Sequence, residues 1–198
     1  MPLPLITRIL SPRLTLRPVV ASDIADLLEV NGDPEVTRFL PYPTWKSTQD
    51  GAAWLARMEA LAATGTGQQL VMARNDDAKV IGALLLFRYE EGSARLELGY
   101  VLGRSHWGQG LMREAIAAVC WHAFGSMGIR RMEAEVDPAN IASNRLLLRI
   151  GFVLEGTLRK RWVARDVAHD TNIYGCLVDD WRRALAGGGM ANVPAAAS

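Results

Sequence analysis

The chain predicts an α/β fold: a mixed sheet of about seven strands with helices on both of its faces. Three observations lead there. Apolar periodicity alternates between strand and helix spacing, in the order β-α-α-β-β-β-α-β-α-β-β. The run Val80-Ile81-Gly82-Ala83-Leu84-Leu85-Leu86-Phe87 is apolar on both faces, so it belongs in the centre of a covered sheet. Composition shifts only once. Residues 1–184 therefore read as a single domain, and the Gly-, Ala- and Pro-rich end, 185–198, as a disordered tail.

Residues 1–10 read as a loose lead-in. The alternating run Arg13-Leu14-Thr15-Leu16-Arg17 suits a half-exposed strand stopped by Pro18. Ser22 is placed to cap a helix with Ile24, Leu27 and Leu28 on its apolar stripe. Pro34 sits at the favoured first position of a short helical turn. Two prolines, Pro41 and Pro43, deny regular structure to Phe39–Trp45. Ser47 or Thr48 then opens a helix to about Ala63.

A meander of three strands follows, at Gln69–Ala73, Val80–Phe87 and Ala94–Leu102. In the third, Leu96, Leu98 and Tyr100 share one face while Arg95, Glu97 and Gly99 share the other. A long helix is expected from about Gly108 to Phe124, a strand from Arg130 to Val136, and a helix through about Ile150 with Gly151 as its C-cap. Strands at Phe152–Gly156 and Asn172–Leu177 and a short helix around Trp181 close the fold.

Bulk properties narrow the class of function. With 22 Lys+Arg against 21 Asp+Glu the net charge is +1, which gives no ground for expecting direct nucleic-acid binding. The first sixteen residues lack a long apolar run and are not expected to be a signal peptide, and no stretch has the length of a membrane span. Cys120 and Cys176 lie in apolar surroundings without metal spacing and are expected as buried free thiols in a reducing cytoplasm. His106, His122 and His169 are dispersed, so no metal site is expected.

The stretch Gly99–Ala115 carries the chemistry. It reads as a strand end, a glycine-bearing loop and a helix start: an array of backbone N–H groups at a helix N-terminus suited to a phosphorylated ligand. Gly108 and Gly110 let the backbone approach a pyrophosphate, and the N–H groups from Gln109 through Leu111 and Met112 to Arg113 are first-turn donors. The helix dipole adds favourable charge. There is no Gly-Lys-Ser/Thr, and the glycine spacing does not match Gly-x-Gly-x-x-Gly, so neither a P-loop nor a dinucleotide site fits.

Four segments together carry a resemblance: Trp107-Gly108-Gln109-Gly110-Leu111-Met112-Arg113-Glu114-Ala115, Arg131–Val136, Asn140-Ile141-Ala142-Ser143-Asn144 and Gly151–Gly156. In that order and spacing the chain resembles the GCN5-related N-acetyltransferase (GNAT) superfamily, and within it the branch that acetylates ribosomal-protein N-termini at alanine or serine. The likeness spans about Leu14 to Trp181. It implies a mostly antiparallel sheet and acetyl-CoA as co-substrate, with no metal. It also implies that the strand Leu98–Leu102 splays from its neighbour to receive the pantetheine arm. A backbone N–H near Val101 or Leu102, before Gly103, would then polarise the thioester carbonyl. The resemblance puts Asn140 on the pantetheine arm; as a lone residue it is equally an N-cap. The superfamily's first loop position is usually Gln or Arg and here is Ser105.

Acetyl transfer to an amine needs a neutral nucleophile, hence a base for the amine proton, and a protonated leaving thiolate. Glu97 matches the base position of the ribosomal-protein branch. Its alternative is an exposed strand carboxylate paired with Arg95 or Arg131, and Glu133 and Glu135 are weaker candidates for the base. Many superfamily members place an acidic Tyr where this chain has Leu147, which cannot donate. The resembled branch has a serine at Ser143, whose hydroxyl could protonate the leaving sulfur as the general acid; its alternative is a first-turn residue bonding its own backbone. Phe39, Tyr42 and Trp45, joined by Trp162 and Tyr174, are the candidates for acceptor recognition, with core packing as the alternative. The basic run Arg159, Lys160, Arg161 and Arg165 is by default a solvated hairpin.

The leading function is thus acetyl-CoA-dependent N-acetylation of a primary amine by direct attack in a ternary complex. The acceptor is left open between a protein N-terminus and a small amine: an aminoglycoside, a polyamine or an amino acid. A non-catalytic acyl-CoA sensor is the alternative from another class. A homodimer is compatible with the sequence, and no membrane partner is expected.

Overall fold

The computed structural model describes residues 1–164 and 166–186. Its strands form one eight-stranded sheet in the order β1-β2-β3-β4-β5-β6-β8-β7. They are β1 (Ile9–Leu10), β2 (Leu14–Pro18), β3 (Gln68–Arg74), β4 (Val80–Glu90), β5 (Arg95–Leu102), β6 (Arg131–Val136), β7 (Val153–Ala164) and β8 (Val167–Leu177). The helices are α1 (Ile24–Asn31), α2 (Pro34–Thr37), α3 (Thr48–Ala63), α4 (Leu111–Gly125), α5 (Ile141–Ile150) and α6 (Val178–Ala186). Every neighbouring pair of strands is antiparallel except β5 and β6.

The apolar run of β4 does lie mid-sheet. On one side Leu84 and Leu86 join Leu96, Leu98, the buried face of α4, and Leu147, Ile150 and Trp181. On the other, Ala83 and Val80 join Leu27, Trp45, Trp54 and Leu55. Helices therefore cover both faces. Among the described residues, no helix is long and apolar enough to cross a membrane.

The lead-in is not loose. Leu3, Ile6 and Ile9 are all buried, and β1 adds an eighth strand by pairing with β2. Gln68 fixes the segment, since its side chain accepts from the Ile6 N–H and donates to the Ile6 carbonyl, both at 2.8 Å. Two buried backbone groups are satisfied that way without a strand partner. Ser22 does not cap α1. Its neighbour Asp23 holds the turn instead, accepting from the Val20 N–H and pairing with Arg17. The tail expected from 185 onward begins inside α6 and then passes beyond the described residues, as does Arg165.

The feature that positions the site is the junction of β5 and β6. They pair only through Arg95–Arg131, Leu96–Met132 and Glu97–Glu133. Beyond Glu97, β5 continues to Leu102 on β4, and β6 continues to Val136 on β8. The two strands part there, leaving the edge of Leu98–Leu102 facing a gap.

Candidate active site

The loop at the end of β5 is built by its own backbone. Gly103 donates to the Ile81 carbonyl at 2.8 Å, a 3-10 turn spans Arg104–His106, and the Trp107 indole N–H donates to the Leu102 carbonyl at 2.8 Å. The Gln109 side chain donates to Ser105 O at 2.9 Å. Gly108 and Gly110 both take positive φ, +72° and +76°, a conformation that strains any residue with a Cβ. Gly110 is the N-cap, so α4 starts at Leu111, three residues later than expected from the sequence. Its first closing bond runs from the Glu114 N–H to the Gly110 carbonyl at 3.0 Å. The N–H groups of Leu111 and Met112 thus precede the helix's own bonding, while their side chains are buried. Arg113 completes that first turn.

A brace beneath this loop is not evident in the sequence. Glu114 is buried and accepts from the Ser11 hydroxyl at 2.7 Å, the Arg13 N–H at 2.8 Å and Arg13 Nε at 2.7 Å. Arg13 also donates to the Gln109 carbonyl at 3.0 Å. The lead-in is thereby tied to the glycine loop. Arg13→Met should cost about 1–2 kcal/mol, because Glu114 keeps two of its donors and Arg13 is half exposed. Urea unfolding measures it.

Glu97 lies at the last β5–β6 pair and is buried. Its partner is neither Arg95 nor Arg131; both of those bond Glu133. Glu97 accepts from Arg88 Nη1 at 2.7 Å, and the same nitrogen reaches Glu135 at 2.9 Å. Arg88 gets there because β4 breaks register between Phe87 and Glu90, with Arg88 at φ +53°. Glu135 is also held by the Trp162 indole N–H at 2.8 Å and by Arg161 at 3.4 Å.

The three carboxylates part company electrostatically. Burial raises the Glu97 pKa above the ordinary glutamate value, and its Arg88 bond only partly offsets this. Burial opposes ionisation of Glu133 and Glu135 too, but Arg131 and Arg95 outweigh it at Glu133, and Trp162, Arg88 and Arg161 outweigh it at Glu135; both end lowered. Glu97 is the one carboxylate of the three moved toward the range of a proton acceptor.

Across the gap, Asn140 caps α5 by accepting from the Ser143 N–H at 3.2 Å, which leaves its amide N–H₂ available. Ser143 is buried, and its hydroxyl lies 2.5 Å from that of Tyr100. Leu147 is wholly buried in the core, so its position supports packing. The aromatic candidates separate. Trp45 is buried against Trp54, with ring centroids 5.5 Å apart, and is a core residue. Tyr42 packs in the same cluster and donates to Asn31 Oδ1 at 2.9 Å. Tyr174 is buried with its hydroxyl on Asn144 at 2.7 Å. Phe39 is partly buried beneath the Arg38 guanidinium, and Trp162 stays 40% exposed beside Glu135. A separate groove of about 570 Å³ between α1 and the start of β4 meets this site only through Gly103 and the turn after it. Cys120 and Cys176 are free and buried, and burial holds both thiols protonated, Cys176 with its pKa pushed up to about 12.

Residues 13–153 match the model of the Acetyltransferase (GNAT) domain. The chain belongs to the GNAT acetyltransferase family. It is 31% identical over 162 residues to YoaA, an uncharacterized N-acetyltransferase of Bacillus subtilis, covering 82% of this chain and 92% of YoaA. It is 32% identical over 115 residues to the ribosomal-protein-serine acetyltransferase of Escherichia coli, covering 58% and 63% of the two chains. The fold is shared with the Mycobacterium smegmatis RimJ structure in complex with CoA-disulfide, at TM-score 0.77 and 21% identity, over 90% of this chain and 94% of that one. As a GNAT domain the protein is an acetyltransferase that uses acetyl-CoA. The mostly antiparallel sheet and the two helical layers agree with that family's fold.

Tyr100, Arg88 and the Arg13–Glu114 brace were missed as site residues. Tyr100 had a signal, since it shares a strand face with Leu96 and Leu98 yet carries a hydroxyl. Arg88 and Arg13 had none, because their roles depend on a register break and on a lead-in packed under α4.

Proposed function

We propose that this GNAT protein moves the acetyl group of acetyl-CoA to the α-amine of a protein N-terminus by direct attack in a ternary complex. The observation that carries the chemistry is Glu97, a buried carboxylate with a raised pKa at the point where β5 and β6 part. The pantetheine arm enters that gap and pairs with the β5 edge, and an N–H near Val101 or Leu102 meets the thioester oxygen. The Gly108–Arg113 backbone takes the pyrophosphate, and the Asn140 amide holds the arm. Glu97 accepts the amine proton as nitrogen attacks. As the tetrahedral intermediate collapses, the C–S electron pair leaves on sulfur, where the Ser143 hydroxyl meets it.

Charge balance favours a protein N-terminus over a polyamine or aminoglycoside. Glu97, Glu133 and Glu135 are each already paired with arginine, so the site offers no surplus negative field to a polycation. The names of relatives point the same way: the E. coli serine acetyltransferase and its [ribosomal protein uS5]-alanine counterpart, 30% identical over 107 residues, both act on ribosomal proteins. The buried free thiols support a cytoplasmic setting. The test is release of CoA thiol with short peptides bearing Ala or Ser N-termini, alongside spermidine, an aminoglycoside and free amino acids. Turnover confined to the small amines would refute the N-terminal acceptor.

The loop has its own prediction. A Cβ at Gly108 would meet nothing within 4 Å, so the space there is open to a ligand. Gly108→Val should raise the Kd for acetyl-CoA at least about tenfold, with a stability cost of only about 1–2 kcal/mol from the positive φ. Calorimetric titration and thermal unfolding separate the two.

A further inference from the structure

Tyr100 and Ser143 bring two hydroxyls to 2.5 Å from elements 43 residues apart in the chain. Tyr100 stands on β5 three residues past its last pairing with β6, at the gap itself. Ser143 stands in the first turn of α5, its own N–H already bonded to Asn140. A hydrogen bond between two hydroxyls has one donor. Tyr100 is partly buried against the apolar core, where a phenolic hydrogen turned away from Ser143 would lose hydrogen bonding. A phenol is also the more acidic of the two groups and the better donor. Burial raises the Tyr100 pKa further, so the phenol stays protonated at any working pH. The 2.5 Å separation fits either direction, and the greater acidity of the phenol favours Tyr100 as donor and Ser143 Oγ as acceptor, which leaves the serine hydrogen to be spent elsewhere.

We propose that Tyr100 is a positioning residue: by donating to Ser143 Oγ it aims the serine hydroxyl hydrogen into the gap, at the sulfur of CoA. This rests on the acetyl-CoA reading above and assigns to the Tyr100–Ser143 pair the work that Leu147 cannot do. In the reaction the sulfur takes the C–S electron pair and a hydrogen bond from Ser143. The amine proton goes to Glu97 and then to solvent, and the released thiolate takes one proton from solvent. Neither hydroxyl changes its protonation state.

Titration of bound CoA by thiolate absorbance tests this without an acceptor. A hydrogen bond to sulfur favours the thiolate, so bound CoA should ionise about one pH unit below free CoA titrated in the same buffer. Ser143→Ala and Tyr100→Phe should each restore the free value, and the double variant should move it no further. With a peptide acceptor, Tyr100→Phe should lower kcat about tenfold at unchanged KM for acetyl-CoA, and have no effect in the Ser143→Ala background. A Tyr100→Phe protein that melts normally and binds CoA, yet keeps the wild-type thiol titration, overturns the proposal. So does a full Tyr100→Phe effect without Ser143. Failure of the wild-type protein to bind CoA would instead overturn the acetyl-CoA reading itself.

Discussion

Glu97→Gln is expected to lower kcat by a factor of about 10²–10⁴, the range for loss of a positioned general base, while the Kd for acetyl-CoA stays unchanged. Gln keeps the shape and can still accept from Arg88, but it cannot take a proton. The pH profile sharpens the test. Burial lifts the Glu97 pKa, so the acid limb of kcat/KM for the wild type should lie above the ordinary glutamate range, with activity rising as pH passes through it. In Glu97→Gln that limb should vanish, leaving the ionisation of the acceptor amine, near ~8 for an N-terminus. Stability runs with pH in the opposite sense. A carboxyl whose folded pKa is raised binds its proton more tightly when folded, so ionised Glu97 opposes folding above its folded pKa. Removing it should leave the thermal midpoint within about 2 °C of wild type. A variant that keeps its rate, or loses CoA affinity in proportion to rate, would hand the base to another group.

The parts of this molecule that follow from local pattern were legible in the sequence. The apolar run of β4 lies mid-sheet, Gly151 takes φ +106° to end α5, and Pro34 opens α2 behind an Asp33 cap, each for a reason internal to a few residues. The position of Glu97 beside the β5–β6 junction followed from strand parity and the resemblance together. Its partner did not. Arg88 reaches Glu97 only because β4 shifts register, and nothing in Phe87-Arg88-Tyr89 announces a left-handed arginine. The same limit explains the Gln68 clasp on Ile6, a contact between residues 62 apart in sequence. Aromatic residues misled for another reason. A proline-rich loop with Tyr and Trp has the same composition whether its rings face a ligand or the core, and only the backbone decides.

For that loop the decisive substitution is Trp45→Ala, which should destabilise the protein by about 3–5 kcal/mol. The indole is 5% exposed and inclined at 58° to Trp54. Helix α3 packs so closely that a Cβ on Gly51 would come within 2.9 Å of the Trp45 ring, so no neighbouring side chain stands ready to fill the void. The backbone N–H of Trp45 also donates to the Asn31 carbonyl at 3.0 Å, fixing the loop to the end of α1. Set against a total stability of about 5–15 kcal/mol, this loss should drop the urea midpoint sharply and leave part of the population unfolded near 37 °C. The kinetic outcome separates packing from recognition. Trp45 shares its cluster with Val71, Ala73 and Ala83, and Val101 of β5 packs against that same group. Loosening it acts on the strand proposed to hold the pantetheine arm. The residual folded fraction should therefore show a higher KM for acetyl-CoA before any change in the KM of the acceptor. A stable Trp45→Ala protein with only the acceptor KM raised would return the ring to the acceptor site.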